Sequence, residues 1–195
     1  MDEWLPCFPL DVVVLPGERL QLHIFEPRYK QLINDCRQHA LSFGIPTLQG
    51  SRIPGVGSEF KLVKVERIYA NGEMDIEAEA IAVFRVLRYE DPYKDRMYGA
   101  GKVVRNKSFG TGISEELNSL FESYNVNLDS PFDIPPEGLS DLQIAQRMMM
   151  GSAGKLKLLK AWDEQGVRAV LSNEIKLLCA LQNQGGSLQG ALFLN

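Results

Sequence analysis

Gly151-Ser152-Ala153-Gly154-Lys155 has the composition of a phosphate-cradling loop, but that loop needs four residues between its glycines and a Ser or Thr after the lysine to hold magnesium. Here two residues separate the glycines and Leu156 follows, so the stretch reads as a helix start with a flexible glycine entry. Cys36-Arg37-Gln38-His39 has a spacing that suits zinc, yet the further ligands would have to come from the scattered Cys7, His23 or Cys179. A helix with a buried Cys36 is the simpler account, and no metal is expected. Hydrolytic chemistry needs a nucleophile, a base and an orienting group within reach, and His23 and His39 are the sole imidazoles. No nucleophile-elbow pattern accompanies either. Glu77 and Glu79 share a face of an alternating segment and read as a solvated pair, not as acid and base. No catalytic residue and no cofactor is expected.

The densest chemistry lies in LPGERLQLHIFEPRY, residues 15–29. Pro16-Gly17 suits the centre of a type II turn. Leu20, Leu22 and Ile24 alternate into a strand. Glu26 can accept hydrogen bonds from the free amides of a helix start, and Pro27 presets the first turn. Arg28 can then pair with a carboxylate, with Tyr29 packed beneath it.

The elements that position these residues are mostly strands up to about residue 110. The clearest is a hairpin, with arms 59–70 and 73–87 flanking Asn71-Gly72, a pair that favours a two-residue type I′ turn. In its second arm Met74, Ile76, Ala78 and Ala80 share the inner face, while Asp75, Glu77 and Glu79 face water; beyond Ala80 both faces become apolar. A further strand is expected at 96–105, with Gly99 and Gly101 marking a bend. One helix, about 26–39, interrupts the strands, with Tyr29, Leu32, Ile33 and Cys36 at helical spacing. Gly44 to Gly57 reads as a strand that leads into a loop. From Ser108 the pattern turns helical, with 109–112 as linker, Ser114 and Ser140 as caps, and an apolar stripe through Val167, Val170, Leu171, Ile175 and Leu178. The expected organisation is a β lobe over 1–108 and a helical lobe over 109–195.

Apolar residues make up 45% and charged residues 24%, a globular composition. Even the longest apolar runs, such as Ala80 to Phe84, fall far short of the roughly 18 residues that cross a bilayer. The start, Met1-Asp2-Glu3-Trp4, lacks the basic-then-apolar pattern of a secretory signal, and three scattered cysteines suit reduced thiols. The expected location is cytoplasmic, with no membrane partner. Residues 1–110 carry 15 basic and 15 acidic side chains, and residues 111–195 carry 6 and 10. Neither half offers the cationic footprint that nucleic-acid binding needs, so charge argues against that partner.

FPLDVVVLPGERLQLHIFEPRYKQLI at 8–33 resembles the opening of the Lon protease amino-terminal, substrate-binding domain family. The likeness continues through Phe43-Gly44-Ile45-Pro46, the strand from Gly57, and the hairpin into Phe84-Arg85-Val86. It implies an α+β fold, a PUA-like antiparallel pseudo-β-barrel with one inserted helix followed by a C-terminal helical bundle. Full Lon proteases add an ATPase and a Ser-Lys peptidase module, for which 195 residues leave no room. The expectation is therefore a stand-alone, non-enzymatic module that binds unfolded or flexible polypeptide segments, with a separate protease or ATPase as a further partner. The candidate binding surface is a groove between the lobes, the 50–57 loop with Arg52 and Ile53, and the face near His23, Phe25, Glu26, Arg28 and Tyr29. The alternative is a PUA-like module that binds a small molecule or RNA.

Overall fold

A computed structural model describes residues 3–48 and 55–183, and the chain divides into two compact units, Met1–Lys107 and Ser108–Asn195. The first unit contains β1 (Glu3–Cys7), β2 (Arg19–Ile24), α1 (Pro27–His39), β3 (Phe43–Pro46), β4 (Val56–Ile68), β5 (Met74–Glu90) and β6 (Gly99–Asn106). The strand order is β2-β5-β4-β3-β1-β6, and β6 also pairs with β5, so the ladder returns on itself as a pseudo-barrel with β2 added outside. One pairing departs from the antiparallel expectation: β1 and β3 run parallel, which the crossover through β2 and α1 makes possible.

β5 explains most of this architecture. Its first half pairs with β2 and its second half with β6, while β4 accompanies it on the other side. Met74, Ile76, Ala78 and Ala80 are buried on one face, and Ala82, Val83 and Phe84 are buried in succession, as the two-sided apolar pattern requires. Glu77 departs from its expected exposure. It is buried because Arg19 (2.8 Å) and Lys64 (3.3 Å) close over its carboxylate.

The hairpin turn also differs in type. Gly72 has φ of 78°, but Asn71 does not take a positive φ. Gly72 N–H donates to Tyr69 O and Tyr69 N–H donates to Glu73 O, which is the three-residue loop with a glycine bulge. The Asn71 side chain accepts from Glu73 N–H at 3.1 Å, so the asparagine stabilises the turn without adopting a positive φ. At Pro16-Gly17 the type II turn is as expected: Gly17 has φ of 84° and Glu18 N–H donates to Leu15 O. β4 begins at Val56, so the strand claims the last residues assigned to the preceding loop. Gly57 permits this, because a Cβ there would lie 2.7 Å from Phe84 Cζ and Pro46 Cα.

The core of this unit packs α1 residues Leu32, Ile33 and Cys36 against Phe43, Phe60, Met74 and Ile76. An aromatic column runs through it, Tyr29 on Phe8 at 4.8 Å, Phe8 on Phe43 at 5.5 Å and Phe43 on Phe60 at 5.7 Å. A second cluster, Leu5, Cys7, Phe84 and Val103, lies on the other side of β5. Burial pushes the Cys7 and Cys36 thiols up to about 12, which suits inert core residues.

The second unit contains α2 (Glu115–Asn125), α3 (Asp141–Arg147), α4 (Ser152–Ala161) and α5 (Glu164–Asn183). α2, α3 and α4 all pack on α5, whose buried stripe is Val167, Leu171, Ile175 and Leu178. Ser114 caps α2, and Ser140 with Gln143 forms a capping box on α3. Gly151 is the N-cap of α4, consistent with a helix entry at the glycine-rich stretch. The segment between α2 and α3 is pinned by two asparagines. Asn118 both donates to and accepts from the Leu139 backbone, and Asn125 does the same with Phe132.

Candidate functional site

The end of β2 and the start of α1 bring most of the candidate residues to one region. Register sets the first cluster. His23 pairs with Asp75, and Asp75 pairs with Arg67 on the next strand, so the three side chains share a face. His23 Nδ1 lies 2.7 Å from Asp75 Oδ1, and its Nε2 lies 3.3 Å from Glu73 Oε2. Tyr69 O–H donates to the other Asp75 oxygen at 2.6 Å, and Arg67 sits over the Tyr69 ring at 4.6 Å. Phe25 stacks near His23, with ring centroids 6.2 Å apart, yet is 58% exposed.

Glu26, Arg28 and Tyr29 form the second cluster. The Glu26 carboxylate does not cap α1. It accepts from Arg28 Nε at 2.9 Å instead, because a charged guanidinium two residues away competes better than the neutral amides. Arg28 also reaches Asp91 at 3.7 Å and lies 4.6 Å above the Tyr29 ring, which continues into the aromatic column. α1 is held from both ends of the unit. Lys30 donates to Asn71 O at the hairpin tip, Met97 N–H donates to Gln31, and Asp35 accepts from both Arg96 and Tyr98.

Arg52 and Ile53 lie outside the described residues. Asp75, Glu73, Tyr69, Arg67 and Asp91 were not singled out by sequence. Asp75 was accessible in principle, since the hairpin and β2 together fix its register with His23; no local pattern marks Asp91.

The concavities lined by described residues of this unit include two of note. One of about 410 Å³ is bordered by Gln21, His23, Glu66 and Asp75. The other, about 750 Å³, runs between the C-terminal end of α1 and β4. Chemically, His23 has a carboxylate at each ring nitrogen, which suits a doubly donating imidazolium and leaves neither nitrogen facing a serine or cysteine. The hydrogen bond that His23 donates to Asp75, reinforced by Glu73, raises the His23 pKa above its ordinary value. Tyr69 and then His23 lower that of Asp75.

The sign of the resulting pH dependence is fixed. A group with a raised folded-state pKa contributes stability that is fully present below about 6.5 and fades as pH rises through the folded value. An NMR titration should place the His23 midpoint above about 6.5, and Asp75→Asn should bring it down. A wild-type midpoint at or below that value would contradict the geometry.

Residues 4–181 match the ATP-dependent protease La (LON) substrate-binding domain family. The chain belongs to that family. A crystal structure of a Lon N-terminal domain protein from Xanthomonas campestris superposes on this Lon-type chain with a TM-score of 0.66 and 21% identity, covering 89% of this chain and 98% of that one. The N-terminal domain of a Mycobacterium avium complex Lon protease gives 0.53 and 11%, covering 93% and 98%. At these identities the likeness establishes the Lon N-terminal fold alone. No curated protein matches. Among the described residues of this Lon-type chain, no helix is long and apolar enough to cross a membrane, and no group of three or more His, Cys, Asp or Glu is placed to hold a metal.

Proposed function

We propose that this chain is a polypeptide-binding module that engages unfolded or flexible segments, performs no chemistry of its own, and hands what it holds to a separate protease or ATPase. The observation that carries the reading is the match of residues 4–181 to a substrate-binding domain. The local chemistry is compatible with it. Phe25 offers exposed aromatic surface beside a fixed pattern of charge, His23 with Asp75 on one side and Glu26 with Arg28 on the other. An apolar anchor ringed by charged groups that already satisfy each other can take in varied side chains without stranding a buried charge. The buried thiols suit a reducing, cytoplasmic setting.

Calorimetry or crosslinking against a panel of unfolded proteins tests the reading. Weak, saturable binding to several members is expected, reduced by Phe25→Asp with the thermal transition unchanged, since the side chain is exposed. No saturable binding to any member would overturn it.

A further inference from the structure

β4 outruns its neighbour on one side. β3 accompanies it as far as the Phe43↔Phe60 pair, whereas β5 continues to Ile68. Beyond Phe60, among the described residues, no strand pairs with the far edge of β4. Strands in an antiparallel sheet direct half of their amide and carbonyl groups to each side, so residues 61–68 present a row of main-chain donors and acceptors. Register slips between Leu62 and Lys64 and between Val65 and Arg67 keep this edge from serving as a long flat template. What remains regular is short.

The 750 Å³ groove runs along this stretch. Its accessible apolar surface comes from Leu41, Val63 and Ile81, which are 42%, 38% and 41% exposed. Its charged lining is Arg37, Lys61 and Lys64, and no carboxylate lines it. Glu79 meets Lys61 at 3.1 Å, and Glu66 and Glu77 meet Lys64 at 2.7 and 3.3 Å, all from outside the groove lining. Arg37 meets the neutral Asn34 side chain at 3.4 Å.

The geometry points to the open edge of β4 as the seat of a short extended peptide, added as a further strand and carrying carboxylates among aliphatic side chains. Main-chain bonds to the short regular stretches within residues 61–66 supply affinity without regard to sequence, which suits a binder of varied chains. The aliphatic side chains cover Leu41, Val63 and Ile81, and the carboxylates face Arg37, whose side-chain partner is the neutral Asn34, while Lys61 and Lys64 keep their glutamate partners. Complementary charge across the groove then selects acidic over basic segments. This inference rests on the polypeptide-binding reading above and gives it a location and a preferred partner chemistry.

The test uses the full chain and three fluorescent nine-residue peptides: alternating Glu and Val, alternating Lys and Val, and the Glu/Val peptide N-methylated at every second amide. The Glu/Val peptide should bind saturably, and the Lys/Val and N-methylated peptides about tenfold more weakly or worse. Arg37→Glu and Val63→Glu, both at exposed positions, should each weaken the Glu/Val peptide about fivefold with the fold intact by thermal melting. Hydrogen exchange should show new protection in 61–66 on binding. Equal binding of the acidic and basic peptides, undiminished binding of the N-methylated peptide, or no new protection in 61–66 would overturn the proposal. If an unfolded carboxymethylated protein still bound, and did so equally to wild type and both variants, this edge would be excluded while polypeptide binding stood. Failure of every unfolded chain to bind would remove both.

Discussion

Phe43→Ala should destabilise the first unit by about 3–5 kcal/mol, the range that a buried phenylalanine truncation costs. Phe43 is fully buried and sits in the middle of the aromatic column, in ring contact with Phe8 on one side and Phe60 on the other. Its removal therefore costs the transfer of one large side chain, leaves a cavity that rings on separate segments of the chain cannot easily collapse into, and breaks two stacked contacts worth about 0.5–1.5 kcal/mol each. The loss should also reach the candidate site, because Phe8 supports Tyr29 and Tyr29 supports Arg28. Urea unfolding followed by Trp4 fluorescence, with Trp162→Phe to silence the second unit, would measure it. Trp4 stacks on Tyr93 at 4.6 Å within the first unit and reports its packing. A cost below about 1 kcal/mol would mean that the column is not the mechanical support inferred from it.

The column also shows where sequence reasoning reaches and where it stops. Features written within a few residues were legible. The Pro16-Gly17 turn, the Pro27 helix start, the Ser114 and Ser140 caps and the stripe on α5 each depend on neighbours one to four positions away. Features that join distant strands were not. Phe8, Phe43 and Phe60 are ordinary apolar positions in three separate segments, and nothing in their spacing says that their rings stack. Glu77 was misread for the same reason: alternation placed it on the solvent face, and only the arrival of Arg19 and Lys64 from other strands covers it. The Asn71-Gly72 hairpin was found, but its turn type was not, because Asn71 can serve a turn either by adopting positive φ or by accepting from Glu73 N–H, and it does the second.

The candidate site divides along the same line. His23, Phe25, Glu26, Arg28 and Tyr29 are contiguous enough to be flagged together, and they do lie together. Their partners Asp75, Tyr69 and Asp91 come from the hairpin and from the end of β5. The β4 groove escaped notice altogether. An open edge is a property of which strand stops first, and β3 ends after four residues while β4 runs for thirteen.

Arg105→Ala should cost about 3–5 kcal/mol, because it leaves a buried carboxylate without its cation. Glu59 is 4% exposed, and its Oε2 accepts from Arg105 Nε at 2.6 Å while its Oε1 accepts from Ser42 Oγ at 2.5 Å. The pair spans β5, since Glu59 lies opposite Ala82 and Arg105 opposite Phe84, so it ties β4 to β6 across the strand they share. Asymmetry between breaking and replacing the pair makes the prediction sharp. Arg105→Ala alone strands the charge, whereas Arg105→Met with Glu59→Gln removes both charges and leaves Ser42 an amide oxygen to donate to, so the double variant should recover most of the loss. Arg105→Lys should fall between, retaining charge without the planar fork. Glu59 also precedes the register slip at Phe60, after which β4 becomes an open edge. Arg105→Ala should therefore speed hydrogen exchange in residues 61–65 more than in β1, and a uniform increase across the unit, or a double variant as unstable as the sum of its parts, would show that the ion pair does not anchor that edge.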